Sequence, residues 1–143
     1  MIFPAIKTIT SLTAEQQVEL IKLFVEADFT EVLDDGDWLN TAIANSLIVL
    51  GAFDENNHLV GFARALGDGV SDCYIQDVVV DASCRNQGIG RQLVDTLCQQ
   101  LADRGIDWIG LIATPGKADF YRKLGFEELR EFVPMRKKKI KYK

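Results

Sequence analysis

The spacing of apolar positions changes repeatedly along the chain, and each change predicts an element. "PAIKTIT" alternates and predicts a first strand. Thr13, with Gln16 three residues on, makes a capping-box pattern. Behind it Val18, Ile21, Phe24, Val25 and Asp28 keep helical spacing, and Leu20, Leu23 and Ala27 widen the apolar face. "TEVLDDGDW" breaks that helix with acids and Gly36, and a short second helix is expected from Trp38 to Asn45. "LIVLGAFD" and "HLVGFARAL" are apolar runs joined by the polar turn "ENN", which predicts a β-hairpin. After the turn "DGVSD", "CYIQDVVVD" is a strand rich in β-branched residues. Further on, Ile89, Leu93, Val94, Leu97, Cys98 and Leu101 share one helical face, and Gly105 stops that helix. "IDWIGLIA" predicts a short buried strand, "GKADFYRKL" a helix closed by Gly125, and "FEELREFVPMRKK" a last strand.

This order predicts an α/β (α+β) fold: a mixed sheet of six to seven strands with about four helices on its faces. No repeat or Pro/Gly-rich linker divides the chain, so one domain over residues 1–143 is expected. Composition changes little in that picture, with 48% hydrophobic and 26% charged residues. No apolar run approaches the ~20 residues needed to span a bilayer, and "MIFPAIKTIT" lacks a secretory n-region, so neither membrane nor export is expected. Three cysteines, Cys73, Cys84 and Cys98, without C-x-x-C spacing suggest neither disulfides nor a metal site, and the cytoplasm is the default compartment.

Charge adds an asymmetry. The net charge is -5, yet the first 129 residues hold nine basic against twenty acidic groups. Such a body repels nucleic acid and attracts cations. The basic end "MRKKKIKYK" reads either as a strand running into a solvated tail or as a nucleic-acid patch.

The chemistry is expected at "CRNQGIGRQL", Cys84 to Leu93. Two glycines at a strand-to-helix passage let an anion reach unpaired helix N–H groups, and Arg85 and Arg91 add positive charge there. The loop is neither a Walker loop, since it lacks G-K-[ST], nor a dinucleotide fingerprint, since no second G-x-x-G appears. Glycines serving only a tight turn would fit the local pattern equally well.

"VVVDASCRNQGIGRQLVDTL", with "FYRKLGFEE" further along the chain, resembles the GNAT superfamily of acyl-CoA-dependent N-acetyltransferases. The resemblance is dense from Asp77 to Glu127 and implies a GNAT fold, with the sheet splayed at its middle. It implies that acetyl-CoA is the co-substrate and that Arg85, Asn86, Gln87, Gly88, Ile89, Gly90 and Arg91 wrap its pyrophosphate. Asn86 stands where the family often has glycine, and asparagine tolerates the left-handed region. Val78, Val79 and Val80 would bind the pantetheine arm through freed backbone amides, with the Val80 N–H stabilising the oxyanion. From the side chains alone these three valines would read as an ordinary buried strand.

Tyr121 matches the family's general acid; packing of a helix onto the sheet is its bland alternative. A phenol near pKa 10 against a thiol near 8.5 makes full proton transfer uphill by ~2 kcal/mol, so a tuned pKa or a hydrogen bond to sulfur is required. Asp77 is the best-placed carboxylate to help deprotonate the amine, or else a strand-end acid paired with an arginine or a backbone N–H. His58, the lone histidine, reads as a surface residue in a turn. Thr114 occupies the family's asparagine position on the cofactor. Asp34, Asp35 and Trp38, with Asp37, Asp68 and Asp72, form either a negative rim for a small cationic or aromatic amine or a solvated loop around a core tryptophan. There is also a fainter similarity to arylalkylamine-type members, through "DVVVD" and the aspartate-rich segment. A non-catalytic acyl-CoA-binding module and an enzyme acting on a protein amine are the alternatives. A small-molecule amine is the expected partner and neither nucleic acid nor membrane is; oligomeric state stays open, with a homodimer the form the resemblance implies is common.

Overall fold

The two apolar runs flanking "ENN" satisfy their backbone groups only by pairing, and they form the centre of the sheet. A computed structural model describes residues 3–139. In chain order the strands are β1 (Ala5–Thr8), β2 (Ile48–Phe53), β3 (Leu59–Gly67), β4 (Asp72–Val80) and β5 (Trp108–Gly110). The helices are α1 (Ala14–Glu26), α2 (Leu39–Ala44), α3 (Ile89–Asp103) and α4 (Ala118–Arg122), with one 3-10 turn at Ala82–Cys84. Strands β1 to β4 form an antiparallel series in sequence order, and β5 adds parallel to β4. The sheet is therefore mixed, as expected.

Local chemistry explains the helix starts and the faces they bury. Thr13 Oγ1 accepts the Gln16 N–H at 3.1 Å while the Gln16 side chain accepts the Thr13 N–H at 3.0 Å, so the capping box is closed. Helix α1 buries Leu20, Ile21, Leu23 and Phe24, whereas Val18 lies on the opposite face and is exposed. Phe24 meets Phe62 of β3 edge-on at 5.9 Å and stacks on Trp38 at 6.1 Å. Burying rings such as Phe24 and Phe62 stabilises the fold by roughly 1.5–3 kcal/mol each. Helix α3 buries Ile89, Leu93, Val94, Leu97 and Leu101, the face expected from the spacing.

The chain divides into two compact units, one ending at Leu111 and the other beginning at Ile112. In the second, α4 is short, and Arg122 pairs with Asp119 and Glu128. Here the strand count is corrected. Among the described residues there are five strands, not six to seven, because "FEELREFVPMRKK" forms none. Glu131 turns the backbone at φ +70°, Pro134 has no N–H to give to a ladder, and Leu129, Phe132, Val133 and Met135 stay exposed. Without burial, nothing offsets the entropy of ordering a strand there. The last four residues of the basic tail lie outside the described residues.

Candidate functional site

Strand β4 is paired differently along its two edges. Against β3 it pairs from Gly67↔Cys73 to Gly61↔Val80, with one irregularity. Against β5 it pairs only at Asp72, Cys73 and Tyr74. From Ile75 onward no strand among the described residues takes up that edge. The Asp81 N–H donates to the Val60 carbonyl at 2.8 Å, so it faces β3. Backbone N–H groups alternate along a strand, which turns the Val80 N–H towards the open edge.

The same half of β4 carries a bulge. Phe62 pairs with Val79 and Arg64 with Gln76, so Asp77 and Val78 stand opposite the single residue Ala63. Asp77 takes φ +58°, a conformation costing on the order of 1 kcal/mol or more for a residue other than glycine. Its carboxylate is held: Arg64 Nε donates to Asp77 Oδ2 at 2.6 Å, within a mostly buried pair. Of the two readings open for Asp77, the structure supplies the arginine partner. Arg64 itself was missed by the pattern reading. A lone arginine inside the apolar run "LVGFARALG" was the available signal, since a mostly buried guanidinium needs a partner.

The turn after β4 leads into α3. Asp81 caps the 3-10 turn by accepting from the Ser83 hydroxyl and N–H. The Ser83 hydroxyl above all holds the Asp81 carboxyl below its usual range; burial opposes it, and the Ser83 N–H and the charges of Lys22 and Arg85 add smaller lowering effects. Asn86 lies at φ +65° and Gly88 at φ +78°. Gly88 is the N-cap of α3, and no side chain caps that end. A Cβ built on Gly88 would meet no protein atom within 4 Å, so the space before the helix is open. The N–H groups of Ile89, Gly90 and Arg91 begin the helix without a carbonyl four residues back to bond. Ile89 itself is buried, with its side chain packed against Gly61 of β3. Arg85 Nε leans on the Val80 carbonyl at 3.4 Å; Arg91 sits 3.4 Å from Asp95 one turn on. A positive helix end, open space and two guanidinium groups suit an anion with several oxygens.

The acidic segment between α1 and α2 is built on itself. Asp34 accepts from the Thr30 hydroxyl at 2.5 Å, the Gly36 N–H at 2.8 Å and Trp38 Nε1 at 3.0 Å, and these bonds, in that order, lower its pKa. Asp35 accepts the Asp37 N–H. Asp34 and the Trp38 N–H are thus committed locally, while Val32 and Leu33 beside them are almost fully exposed. Asp68 likewise caps its own turn, and the Ser71 hydroxyl, the Ser71 N–H and the Val70 N–H lower its pKa to about 2. His58 is exposed and bonds Glu19 at 2.9 Å.

In the second unit, Thr114 is exposed and its carbonyl accepts the Lys117 N–H at 3.0 Å. Tyr121 lies on α4, flanked edge-on by Phe120 at 4.9 Å and Phe126 at 5.7 Å. Burial raises its phenol above the ordinary value, so it holds its proton firmly.

A family model described as acetyltransferase (GNAT) domain matches residues 45–128. The chloroplastic serotonin N-acetyltransferase 2 of Oryza sativa subsp. japonica is 46% identical over 67 residues, 47% of this chain and 34% of that protein. Across the curated relatives it matches, the chain spans about a third to three fifths of their length. Among solved structures, a GNAT family acetyltransferase from Streptococcus pneumoniae is 25% identical with a TM-score of 0.74, covering 96% of this chain and 98% of that one. An aminoglycoside 6′-N-acetyltransferase complexed with coenzyme A is 20% identical with a TM-score of 0.69, covering 85% and 83%, a likeness of fold alone.

Proposed function

The chain belongs to the acetyltransferase (GNAT) family, and from that premise we propose that it moves an acetyl group from acetyl-CoA to a primary amine by direct attack in a ternary complex. One observation carries this reading: the start of α3 is uncapped, and the place a Cβ would occupy on Gly88 is open. In this reading, Asn86 to Arg91 hold the cofactor's pyrophosphate through backbone N–H groups, and Arg85 and Arg91 add charge. Bound there, acetyl-CoA supplies an activated thioester acyl group. Val78 to Val80 receive the pantetheine arm along the edge that β5 leaves unpaired, and the Val80 N–H is the donor for the developing oxyanion. A preorganised donor of this kind is worth about 3 kcal/mol.

Tyr121 takes the role of hydrogen-bond donor to the leaving sulfur. Its raised pKa favours donating a hydrogen bond over releasing the proton outright. Asp77 accepts from the incoming amine, directly or through water, with Arg64 fixing its orientation. Thr114 is assigned to the cofactor side by motif position alone.

We assign the acceptor to small cationic or aromatic amines. Exposed Val32 and Leu33 beside Asp34, Asp35 and Trp38 offer apolar surface next to negative charge, which suits an amine carried on an apolar body. The relative named for serotonin agrees with that choice. For the compartment, three free cysteines suit reducing surroundings such as the cytoplasm, while that relative is itself named as chloroplastic. None of the described helices is long and apolar enough to cross a membrane.

The test mixes protein and acetyl-CoA with arylethylamines, polyamines and a lysine peptide, and monitors free thiol. Turnover on a small amine is expected. Stabilisation by CoA with no turnover on any amine would replace the enzyme with a binding module, and turnover on the peptide alone would move the acceptor to a protein amine. Tyr121→Phe is expected to lower kcat about 10²-fold while acetyl-CoA affinity stays within twofold. Unchanged turnover would remove Tyr121 from the chemistry.

A further inference from the structure

We propose that Arg64 is a positioning residue for the transfer: it ties the bulge of β4 to the end of α2 and so fixes Asp77 and the amides beside it. This rests on reading that stretch of β4 as the acyl site. The guanidinium is bonded on two sides. Nε donates to Asp77 Oδ2 at 2.6 Å, and Nη1 donates to the Ser46 hydroxyl at 3.3 Å. Ser46 in turn donates to the Ala42 carbonyl of α2 at 2.7 Å. A continuous path of hydrogen bonds therefore runs from α2, beside the acidic segment, to the bulge.

The bulge and the strand facing it both bear on what this path does. Asp77 holds a left-handed backbone, which costs any residue but glycine something even though aspartate tolerates it better than most, and its surroundings fix it there. Arg64 is the charged residue in a strand whose other side chains are apolar, and its side chain is 14% exposed. A solvent-facing arginine would be free to move; this one is wedged between its two partners. The planar fork also matters. It reaches a carboxylate and a hydroxyl in different directions at once, which a lysine ammonium on a flexible stem does not reproduce. Arg64 touches no substrate in this scheme. Its effect passes through the placement of Asp77 and of the Val78 to Val80 amides.

The experiment uses Arg64→Met, Arg64→Lys, Ser46→Ala and Asp77→Asn in the full chain, with two independent readouts. The first is kinetic. Arg64→Met is expected to lower kcat tenfold or more while the KM for acetyl-CoA and the affinity for CoA stay within twofold. Arg64→Lys is expected to recover part of that loss. Ser46→Ala is expected to cost two- to threefold in kcat. The double change Arg64→Met with Asp77→Asn is expected to be no worse than the poorer single change, since both act in one unit. The second readout needs no activity: amide hydrogen exchange in the ligand-free protein. Arg64→Met is expected to speed exchange at least tenfold at those amides between Gln76 and Asp81 that donate to β3, and to leave α3 unchanged. Wild-type exchange in that stretch overturns the proposal, as does wild-type kcat in Arg64→Met. Should that variant not fold, Ser46→Ala and Arg64→Lys decide by the same two readouts. A wild-type chain that acetylates no amine defeats the functional reading, and the exchange data still judge Arg64.

Discussion

The two ends of α3 are built from nearly the same backbone and finish in opposite ways, one closed by hydrogen bonds and one left uncapped. Gly88 before the helix lies at φ +78° and Gly105 after it at φ +80°, and a Cβ on either would meet nothing within 4 Å. At the far end the chain satisfies itself. The Gly105 N–H donates to Ala102 and the Ile106 N–H to Leu101, while buried Ile106 and Leu101 close the turn. That pairing is a Schellman motif, and it answers carbonyls the helix would leave open. At the near end no side chain caps the helix, and its N–H groups remain for something other than protein. A left-handed glycine therefore says only that the chain turns. Whether the turn closes on its own hydrogen bonds or stays open and positive separates a stop from a site.

The sharpest way to break this comparison is Gly88→Val. The side chain would stand in the open space, and a β-branched residue is poorly suited to positive φ. CoA affinity is expected to fall more than 100-fold, about 2.7 kcal/mol, while the fold loses roughly 1–2 kcal/mol. Calorimetric titration with CoA checks the first and thermal melting the second; affinity within threefold of wild type would mean that the helix start holds no diphosphate. A smaller effect is expected from the charges. Arg85→Met should weaken CoA about tenfold and flatten its salt dependence. Arg91→Met should cost only about threefold, because Asp95 beside Arg91 already offsets part of its charge. A larger loss at Arg91 than at Arg85 would reverse the assignment of which guanidinium meets the phosphates.

The near end was legible in the chain because glycine spacing and an adjoining helical face are local signals. "RNQGIGRQL" states a turn and a helix start within nine residues, and the capping box at Thr13 was readable for the same reason. The bulge was not. "CYIQDVVVD" reads as one uninterrupted strand, and which residue stands opposite Ala63 depends on the register of a partner strand. The Arg64 to Asp77 pair shares that difficulty, since its partners lie thirteen positions apart and meet only after the sheet forms. The last strand failed for a related reason. β-propensity in "LREFV" predicts a strand, but propensity without a partner to bury it against leaves those side chains in water. Asp34 shows the limit for charge: a run of acids reads as a negative rim, while hydrogen bonds from Thr30, Gly36 and Trp38 decide how much of it faces outward.

Gly105→Ala carries the smallest expected effect and sharpens the comparison most. Its Cβ meets no neighbour, so the cost is backbone alone, about 1 kcal/mol for alanine at positive φ, or a melting temperature lower by roughly 4 °C. CoA affinity should not change, because fifteen residues of helix separate this end from Gly88. Gly88→Ala supplies the matched partner: the same strain, the same loss of stability, and weaker CoA binding besides. Equal stability losses with unequal affinities would place the difference in the ligand. If both variants bound CoA like the wild type, Gly88 would be a turn residue like its counterpart, and the anion site would have to be sought elsewhere.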